Sequence, residues 1–290
     1  MEELGDQVQK VVDPVQQPSV LSQPEIMLFS ETFDELASSV EPLQGAVSSH
    51  PKTAAVILAG GVGERFGNAG GKQLFNIMGK PMLTWSTEAF DAVADVGLII
   101  IVCPEERMDE YCRVAIDPYP FVTPIEFAPS GELRQESSFS GVMKVPAEYD
   151  IIAVHDGARP LVTPDLINHA ISELKGNTDI DGAVVGHHAI DTLKVVSEED
   201  DTIIGTPVRS AFWVAQTPQV FRASIIKQAH TTALAEGFIG TDDSSIVERV
   251  GGKVKLVSGP RDNIKVTVPE DFGPVEAALA SRLARREMLA

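Results

Sequence analysis

The chain has 290 residues, of which 43% are hydrophobic, and its formal net charge is −19. This length fits one large domain or two small ones, and the apolar content is sufficient for a sizeable core. The acidic balance argues against binding to nucleic acids or to an anionic membrane surface, because both need basic patches, so any phosphate site must be a local basic pocket.

Targeting features are absent from the sequence. Cys103 and Cys112 show neither a metal-site spacing nor a disulfide framework. No apolar run approaches the ~18 residues of a membrane-spanning helix, and the N-terminus lacks a signal-peptide pattern. We therefore expect a cytoplasmic protein that does not enter a membrane.

Residues 1–52 form an acidic N-terminal extension that we expect to be disordered, because its first part has few large apolar residues. Residues 26–43 show helical spacing of apolar side chains. This pattern favours either a docked or partner-binding helix or a solvated tail with a transient helix. Residues 53–290 are the predicted folded domain.

From residue 53 onward, strand-like and helix-like segments alternate. Apolar runs predict strands at Val56–Leu58, Leu98–Val102, 122–127, Ile151–Val154, Gly182–Val185 and 253–257. Amphipathic spacing predicts helices at 81–94, 105–116, 132–144, Pro164–Leu174, 222–236, 242–250 and 270–288. This order predicts an α/β, Rossmann-like open sheet, mostly parallel, whose ligands bind beyond the carboxyl ends of the strands.

Residues from about 186 to 216 interrupt the alternation. Short β-like pieces surround the acidic turn Ser197–Asp201. A protruding β-arm of this kind leaves unpaired strand edges, which a second copy of the chain could cover. The sequence therefore predicts a homodimer.

The first strand runs into a glycine-rich turn, 59–63, which is followed by Arg65 and Lys72. Closely spaced glycines let several backbone N–H groups converge on one anion. The spacing matches neither the P-loop, which needs Gly-Lys-Ser/Thr, nor the dinucleotide pattern G-x-G-x-x-G. We interpret the turn as a cradle for a nucleotide triphosphate.

Strand Ile151–Val154 continues into a second polar segment. Asp156 follows this buried strand directly, so it could hold Mg²⁺ beside nucleotide phosphates, or only cap the next loop. Arg159 could bind phosphate or brace the loop. His155 is expected to be a packed, hydrogen-bonded side chain, since the sequence offers it no nucleophile.

A third polar segment lies near the C-terminus. Lys265 sits in an apolar, β-like setting, where an ammonium needs an anion such as phosphate, unless its tip reaches water. Asp262 could share a metal ion with Asp156.

The motifs of these segments, taken together and in this order, resemble the 2-C-methyl-D-erythritol 4-phosphate cytidylyltransferase family. That family belongs to the sugar nucleotidyltransferase-like superfamily, with the nucleotide-diphospho-sugar transferase fold. The resemblance covers residues 53 to about 285. It rests on 58–65, Lys72-Gln73, 155–160, Asp191-Thr192 with Lys194, 216–221, 241–243 and 262–267.

The resemblance implies a nucleotide half of the site. Arg65, Lys72 and Lys265 would be catalytic and would stabilise the charge that develops during transfer. Asp156 would bind Mg²⁺, with Asp262 as a possible second ligand. The CTP-binding residues would be Ala59, Gly60, Gly61, Gly63, Gly131, Ser137, Asp156 and Gly157.

The resemblance also implies a second half of the site, which would bind the polyol phosphate. The β-arm would be exchanged across a dimer, so that Thr192 and Arg209 reach the partner's site. The substrate residues would be Asp156, Arg159, Thr192, Arg209, Thr217 and Lys265. The implied reaction is transfer of a cytidylyl group from CTP to 2-C-methyl-D-erythritol 4-phosphate, with release of pyrophosphate.

Two alternatives stay open at this point. A ribitol 5-phosphate cytidylyltransferase would use the same loop and the same chemistry. A non-catalytic nucleotide-binding regulator is disfavoured because a protein that only binds has no need of Arg65, Lys72, Asp156 and Lys265 together.

Overall fold

The computed structural model describes residues 52–61 and 71–289. The N-terminal extension with its predicted helix, and the loop 62–70 with Gly63 and Arg65, lie outside the described residues. The chain divides into a small compact unit, which includes Leu193–Pro207, and a large unit that contains the other described residues.

The elements follow one another along the chain in the predicted alternation. The strands are β1 (Lys52–Leu58), β2 (Asn76–Ile77), β3 (Lys80–Pro81), β4 (Val96–Cys103), β5 (Ile125–Pro129), β6 (Tyr149–Asp156), β7 (Gly182–His188), β8 (Val195–Val196), β9 (Ile203–Gly205), β10 (Trp213–Arg222) and β11 (Val254–Ser258). The α-helices are α1 (Met82–Asp91), α2 (Met108–Tyr111), α3 (Arg134–Lys144), α4 (Pro164–Gly176), α5 (Ala223–Glu236), α6 (Asp243–Arg249) and α7 (Phe272–Leu289).

The large unit is built on a seven-stranded sheet in the order β11-β7-β10-β6-β1-β4-β5. β10 runs antiparallel to both of its neighbours, and the other neighbouring strands are parallel. The predicted mostly parallel, Rossmann-like α/β fold is confirmed.

Both faces of the sheet are buried, which explains why its central strands read as continuous apolar runs. In β1, Ala55 and Ile57 pack into one core with side chains of α1 and α4. Ala54 and Val56 point the other way, into a second core with α3 and α5. Alternation along the strand thus serves two hydrophobic layers.

The structure differs from the sequence expectation at residues 213–216. They begin β10, a ten-residue strand inside the main sheet, and do not belong to a separate arm. The apolar pattern of β10 is broken by Gln216, Thr217 and Gln219, which are buried but polar. These side chains make hydrogen bonds at the site described below, so the strand does not need apolar residues there.

Two further segments differ from expectation. The predicted helix at 105–116 is a 3-10 turn, the short helix α2 and a π turn, and β2 and β3 form an unpredicted two-stranded ladder. In the small unit, β8 and β9 pair as an antiparallel hairpin. Within 52–61 and 71–289, no helix is both long and apolar enough to cross a membrane.

Candidate active site

The order of the sheet reverses between β1 and β6. β4 and β5 extend the sheet on one side of β1, whereas β6 lies on the other, and Leu58 pairs with Asp156 at the carboxyl ends. The N–H of Gly157 donates to the carbonyl of Leu58 at 2.9 Å. Open α/β sheets bind ligands at such a reversal point.

A cleft of about 640 Å³ opens beyond these strand ends. This volume lies within the range of small-molecule sites. Its wall combines the end of the glycine turn, the segment before α3, and side chains from three distant parts of the chain. These residues include Gly60, Gly61, Lys72, Gln73, Ser130, Gly131, Arg134, Ser137, Asp156 and Lys265.

Glycines form one wall of the cleft because there is no room for a side chain at these positions. A Cβ on Gly60 would lie 2.2 Å from the Cβ of Ser130, and one on Gly131 would lie 2.4 Å from the Cβ of Glu136. The N–H of Gly131 donates to the Oγ of Ser137 at 3.1 Å. The predicted nucleotide residues of these two segments therefore share one wall.

Asp156 is surrounded by positive charge. The Nζ of Lys265 lies 2.9 Å from its Oδ2, the Nε of Arg134 lies 3.2 Å from its Oδ1, and the Nε of Arg159 lies 3.7 Å from its Oδ2. Burial raises the pKa of this carboxyl, but Arg134, Lys265 and Arg159 together hold the pKa well below its usual range. Asp156 is therefore an anion at neutral pH.

Two lysines line the cleft, Lys265 from the segment after β11 and Lys72 from the turn 72–74, which contacts that segment. The Nζ of Lys72 donates to the carbonyl of Val266 at 2.7 Å, and the N–H of Val266 donates to the carbonyl of Ala158 at 2.8 Å. The expected β-like setting of Lys265 is wrong, because this segment is irregular. The anion beside Lys265 in this structure is the Asp156 carboxylate.

Thr217 fixes the end of β6. The N–H of Asp156 donates to the Oγ1 of Thr217 at 3.0 Å, and the same oxygen lies 3.0 Å from the Nδ1 of His155. Burial lowers the pKa of His155 to about 3, against a smaller opposing effect of Asp156. His155 is the packed, hydrogen-bonded residue that the sequence predicts, and burial disfavours its protonated form.

Arg159 braces the loop after β6. Its Nη1 donates to the carbonyl of Asn263 at 2.7 Å, and the Nδ2 of Asn263 donates to the carbonyl of Thr217 at 2.9 Å. Burial lowers the pKa of Arg159, and Asp156 partly offsets this effect. The side chain thus ties three segments of the site together.

Comparison with known proteins decides the family. Residues 53–281 match the model of the family described as 2-C-methyl-D-erythritol 4-phosphate cytidylyltransferase. The chain belongs to this family. A relative of that name from Caldanaerobacter subterraneus subsp. tengcongensis is 44% identical over 78% of this chain and 97% of its own length. One from Geobacter metallireducens is 39% identical, over 79% and 98%.

Solved structures agree with this assignment. A crystal structure described as 4-diphosphocytidyl-2C-methyl-D-erythritol synthase, from Anaerococcus prevotii, is 26% identical with a TM-score of 0.70. The match covers 79% of this chain and 99% of that chain. The fold of that solved structure is therefore shared by most of this chain.

Several residues that the family resemblance singles out lie elsewhere within the single chain. The Nη1 of Arg209 donates to the carbonyl of Ile190 at 2.5 Å, beside a separate cavity of about 620 Å³ that Arg261 also lines. Thr192 is exposed. Neither Thr192 nor Arg209 lines the cleft that contains Asp156.

Asp262 is not brought to Asp156. Its Oδ2 accepts a hydrogen bond from the Nη2 of Arg282 at 3.3 Å, and its side chain is 53% exposed. The same guanidinium donates to the carbonyl of Leu161 at 2.6 Å. Asp262 therefore forms an ion pair outside the cleft, and its carboxylate does not line the cavity that contains Asp156.

Sequence reasoning missed two residues of the site, Arg134 and Asp243. The Nη1 of Arg134 lies 2.8 Å from the Oδ2 of Asp243, in addition to the contact of Arg134 with Asp156. Asp243 belongs to Thr241-Asp242-Asp243, one of the motifs that carry the family resemblance, and Arg134 lies between Gly131 and Ser137, which the resemblance assigns to CTP binding. The sequence thus marks both segments, but no local pattern indicates that their charges pair.

Proposed function

We propose that this protein transfers a cytidylyl group from CTP to 2-C-methyl-D-erythritol 4-phosphate and releases pyrophosphate. The observation that carries the proposal is the shared cleft of Lys72, Lys265 and Asp156 at the reversal point of the sheet, beside a glycine wall. The family assignment supports the same reaction.

The chemistry requires positioning and charge neutralisation. A phosphate oxygen of the sugar alcohol, already ionised at neutral pH, forms a bond to the α-phosphorus while the bond to pyrophosphate breaks. No general base is needed, in keeping with the closed environment of His155. Lys72 and Lys265 would bring two anions together and stabilise the developing charge, with Arg65, outside the described residues, in the same proposed role.

Mg²⁺ is the proposed cofactor, and Asp156 is the residue that would hold it. A carboxylate facing the same cleft as the proposed phosphate-binding lysines suits this ion, which takes one or two carboxylates together with phosphate oxygens. When bound, Mg²⁺ would neutralise negative charge on the nucleotide phosphates. The remaining positive charge would come from the lysines of the chain.

We also propose a homodimer formed through the β-arm. Ile203 and Ile204 of the small unit are 58% and 55% exposed, an unusual density of apolar surface on a two-stranded hairpin. Thr192 and Arg209 lie outside the cleft of their own chain, as expected if they serve the partner's site. We place this dimer in the cytoplasm, where its two free cysteines suit a reducing environment.

The decisive assay measures pyrophosphate release from CTP in the presence of Mg²⁺, with methylerythritol phosphate and ribitol 5-phosphate in parallel. Release with the first substrate alone supports the proposal, and release with ribitol 5-phosphate alone favours the ribitol enzyme. No release with either, together with CTP binding, favours a regulator. Lys72→Ala is expected to lower turnover at least about 100-fold, and full turnover of this variant would contradict the role of Lys72.

A further inference from the structure

Arg134 lies between two carboxylates of different parts of the site. Its Nε lies 3.2 Å from the Oδ1 of Asp156, and its Nη1 lies 2.8 Å from the Oδ2 of Asp243. Arg134 lines the 640 Å³ cleft and also an adjoining cavity of about 300 Å³, which continues toward Thr217 and Thr241. The guanidinium thus stands where the proposed nucleotide and polyol phosphate halves meet.

Asp243 is a fixed anchor for this guanidinium. Its side chain is 1% exposed, and its Oδ1 accepts a hydrogen bond from the hydroxyl of Ser138 and lies 3.3 Å from the Nε2 of His230. Burial raises the pKa of the Asp243 carboxyl, but Arg134 and His230 outweigh this effect and lower the pKa. Because Asp243 is held from three sides, it determines where Arg134 can lie.

The position of Arg134 is not explained by its own helix. Arg134 is the first residue of α3, and a cation is unfavourable at a helix N-terminus. Its contacts with Asp156 and Asp243 compensate. A guanidinium is well suited to bridge the two carboxylates, because its planar fork presents separate N–H donors in fixed directions, whereas an ammonium is a compact point charge without this fixed geometry.

We propose that Arg134, anchored by Asp243, is a positioning residue that orients the Asp156 carboxylate and couples the nucleotide wall 130–137 to the polyol-side wall 241–243. The inference rests on the proposed cytidylyl transfer. It assigns Arg134 no contact with the substrates, so its effect should fall on turnover more than on nucleotide binding.

The test begins with Arg134→Lys and Arg134→Gln. We expect both to lower kcat for cytidylyl transfer about 10–100-fold, as is typical for residues that orient a functional ligand. CTP binding measured by titration calorimetry, without polyol phosphate, is expected to stay within about threefold, since the recorded contacts of Arg134 go to Asp156 and Asp243. A purely structural ion pair would instead lower thermal stability and leave kcat of the folded protein unchanged.

A double-mutant cycle identifies the anchor. Asp243→Asn should also lower kcat, and the double variant with Arg134→Gln should lose no more than Arg134→Gln alone, because Asp243 acts through Arg134. Arg249→Gln is the matched control. Arg249 lies on the same helix as Asp243 and forms an exposed ion pair with Glu236 of α5, so this change removes an arginine–carboxylate pair away from the cleft and should leave kcat unchanged.

The outcomes of these experiments distinguish failure of the positioning role from failure of the proposed function. If the wild type transfers cytidylyl groups but Arg134→Lys and Asp243→Asn retain kcat within about threefold, the positioning role is wrong and the proposed function stands. The same conclusion follows if the effects of Arg134→Gln and Asp243→Asn simply add in the double variant. If the wild type is inactive with both polyol phosphates, the proposed function fails and this inference fails with it. Should Arg134→Gln not fold, Arg134→Lys and Asp243→Asn still provide the comparison.

Discussion

The Nζ of Lys265 lies 2.9 Å from the Oδ2 of Asp156, although the two residues are 109 positions apart in the sequence. The lysine side chain is 38% exposed, whereas that of the aspartate is 10% exposed. Lys265 therefore sits at the rim of the site, with one side on the carboxylate and the other open to the cleft. An ammonium in this place can stabilise the buried anion and also meet an incoming phosphate.

Replacing Lys265 by methionine removes this charge with little change of volume. We expect kcat/KM for the polyol phosphate to fall by about 10²–10³, the usual loss when a preorganised electrostatic group is removed. Lys255→Met is the control, because Lys255 forms an exposed ion pair with Glu173 outside the cleft. Steady-state pyrophosphate release compares the two variants, and equal effects would contradict the assignment of Lys265.

Gly60→Ala tests the close approach that shapes the nucleotide wall. The added Cβ would lie 2.2 Å from the Cβ of Ser130, so one of the two segments must move. We expect the Kd for CTP to rise at least about tenfold, equivalent to about 1.4 kcal/mol. Titration calorimetry of the unreacted CTP complex measures this change directly.

Gly176→Ala provides the matched comparison, since a Cβ at this last residue of α4 meets nothing within 4 Å. Alanine there should leave CTP affinity unchanged and slightly raise stability, because it restricts the unfolded chain. Tight CTP binding by Gly60→Ala would show that the wall tolerates a side chain, and the packing argument would then be wrong.

Much of the fold could be predicted from the sequence because its apolar residues follow clear strand and helix patterns. The apolar run Leu98–Val102 and the amphipathic segment 132–144 each have one favourable structure, and both were predicted within a few residues. β10 could not be predicted, because its polar residues Gln216 and Gln219 are satisfied by partners distant in the chain, Pro260 and Asp242.

The same limit applies to the site. Position after a strand was enough to single out Asp156, since the end of β6 necessarily lies at the functional edge of the sheet. The pairing of Asp156 with Arg134, and of Arg134 with Asp243, depends on where α3 and α6 pack, which no local pattern encodes. Asp262 illustrates the converse, because its place in the same motif as Lys265 did not bring its carboxylate into the cleft.

His155 makes the stability of the protein depend on pH. Burial lowers its pKa from 6.5 to about 3, so between these values the unfolded chain binds a proton that the folded protein does not. Stability therefore falls as the pH drops below about 6.5, by up to about 1.4 kcal/mol per pH unit. Urea unfolding between about pH 7 and pH 5 stays above the range in which ordinary carboxyl groups titrate.

The His155→Asn variant lacks the titrating imidazole. Its free energy of unfolding should therefore depend less steeply on pH, by up to about 1.4 kcal/mol per pH unit. His169→Asn is the control, because His169 is exposed on α4. Comparing slopes avoids any dependence on the absolute stability of the variants. An unchanged slope for His155→Asn would mean that the pKa of this histidine in the folded protein is the same as in the unfolded chain.

The two predicted metal ligands, Asp156 and Asp262, can be tested separately by replacing each with asparagine. Asp156 faces the cleft with a pKa held low by its neighbouring cations, whereas Asp262 is paired with Arg282 and does not line it. We expect Asp156→Asn to weaken Mn²⁺ binding to the CTP-loaded protein at least about tenfold, because a neutral amide is a poor ligand for a hard divalent cation. Asp262→Asn, which changes the same charge, should leave Mn²⁺ binding unchanged. Electron paramagnetic resonance counts free Mn²⁺ without requiring turnover, and a comparable loss in both variants would restore Asp262 as a ligand.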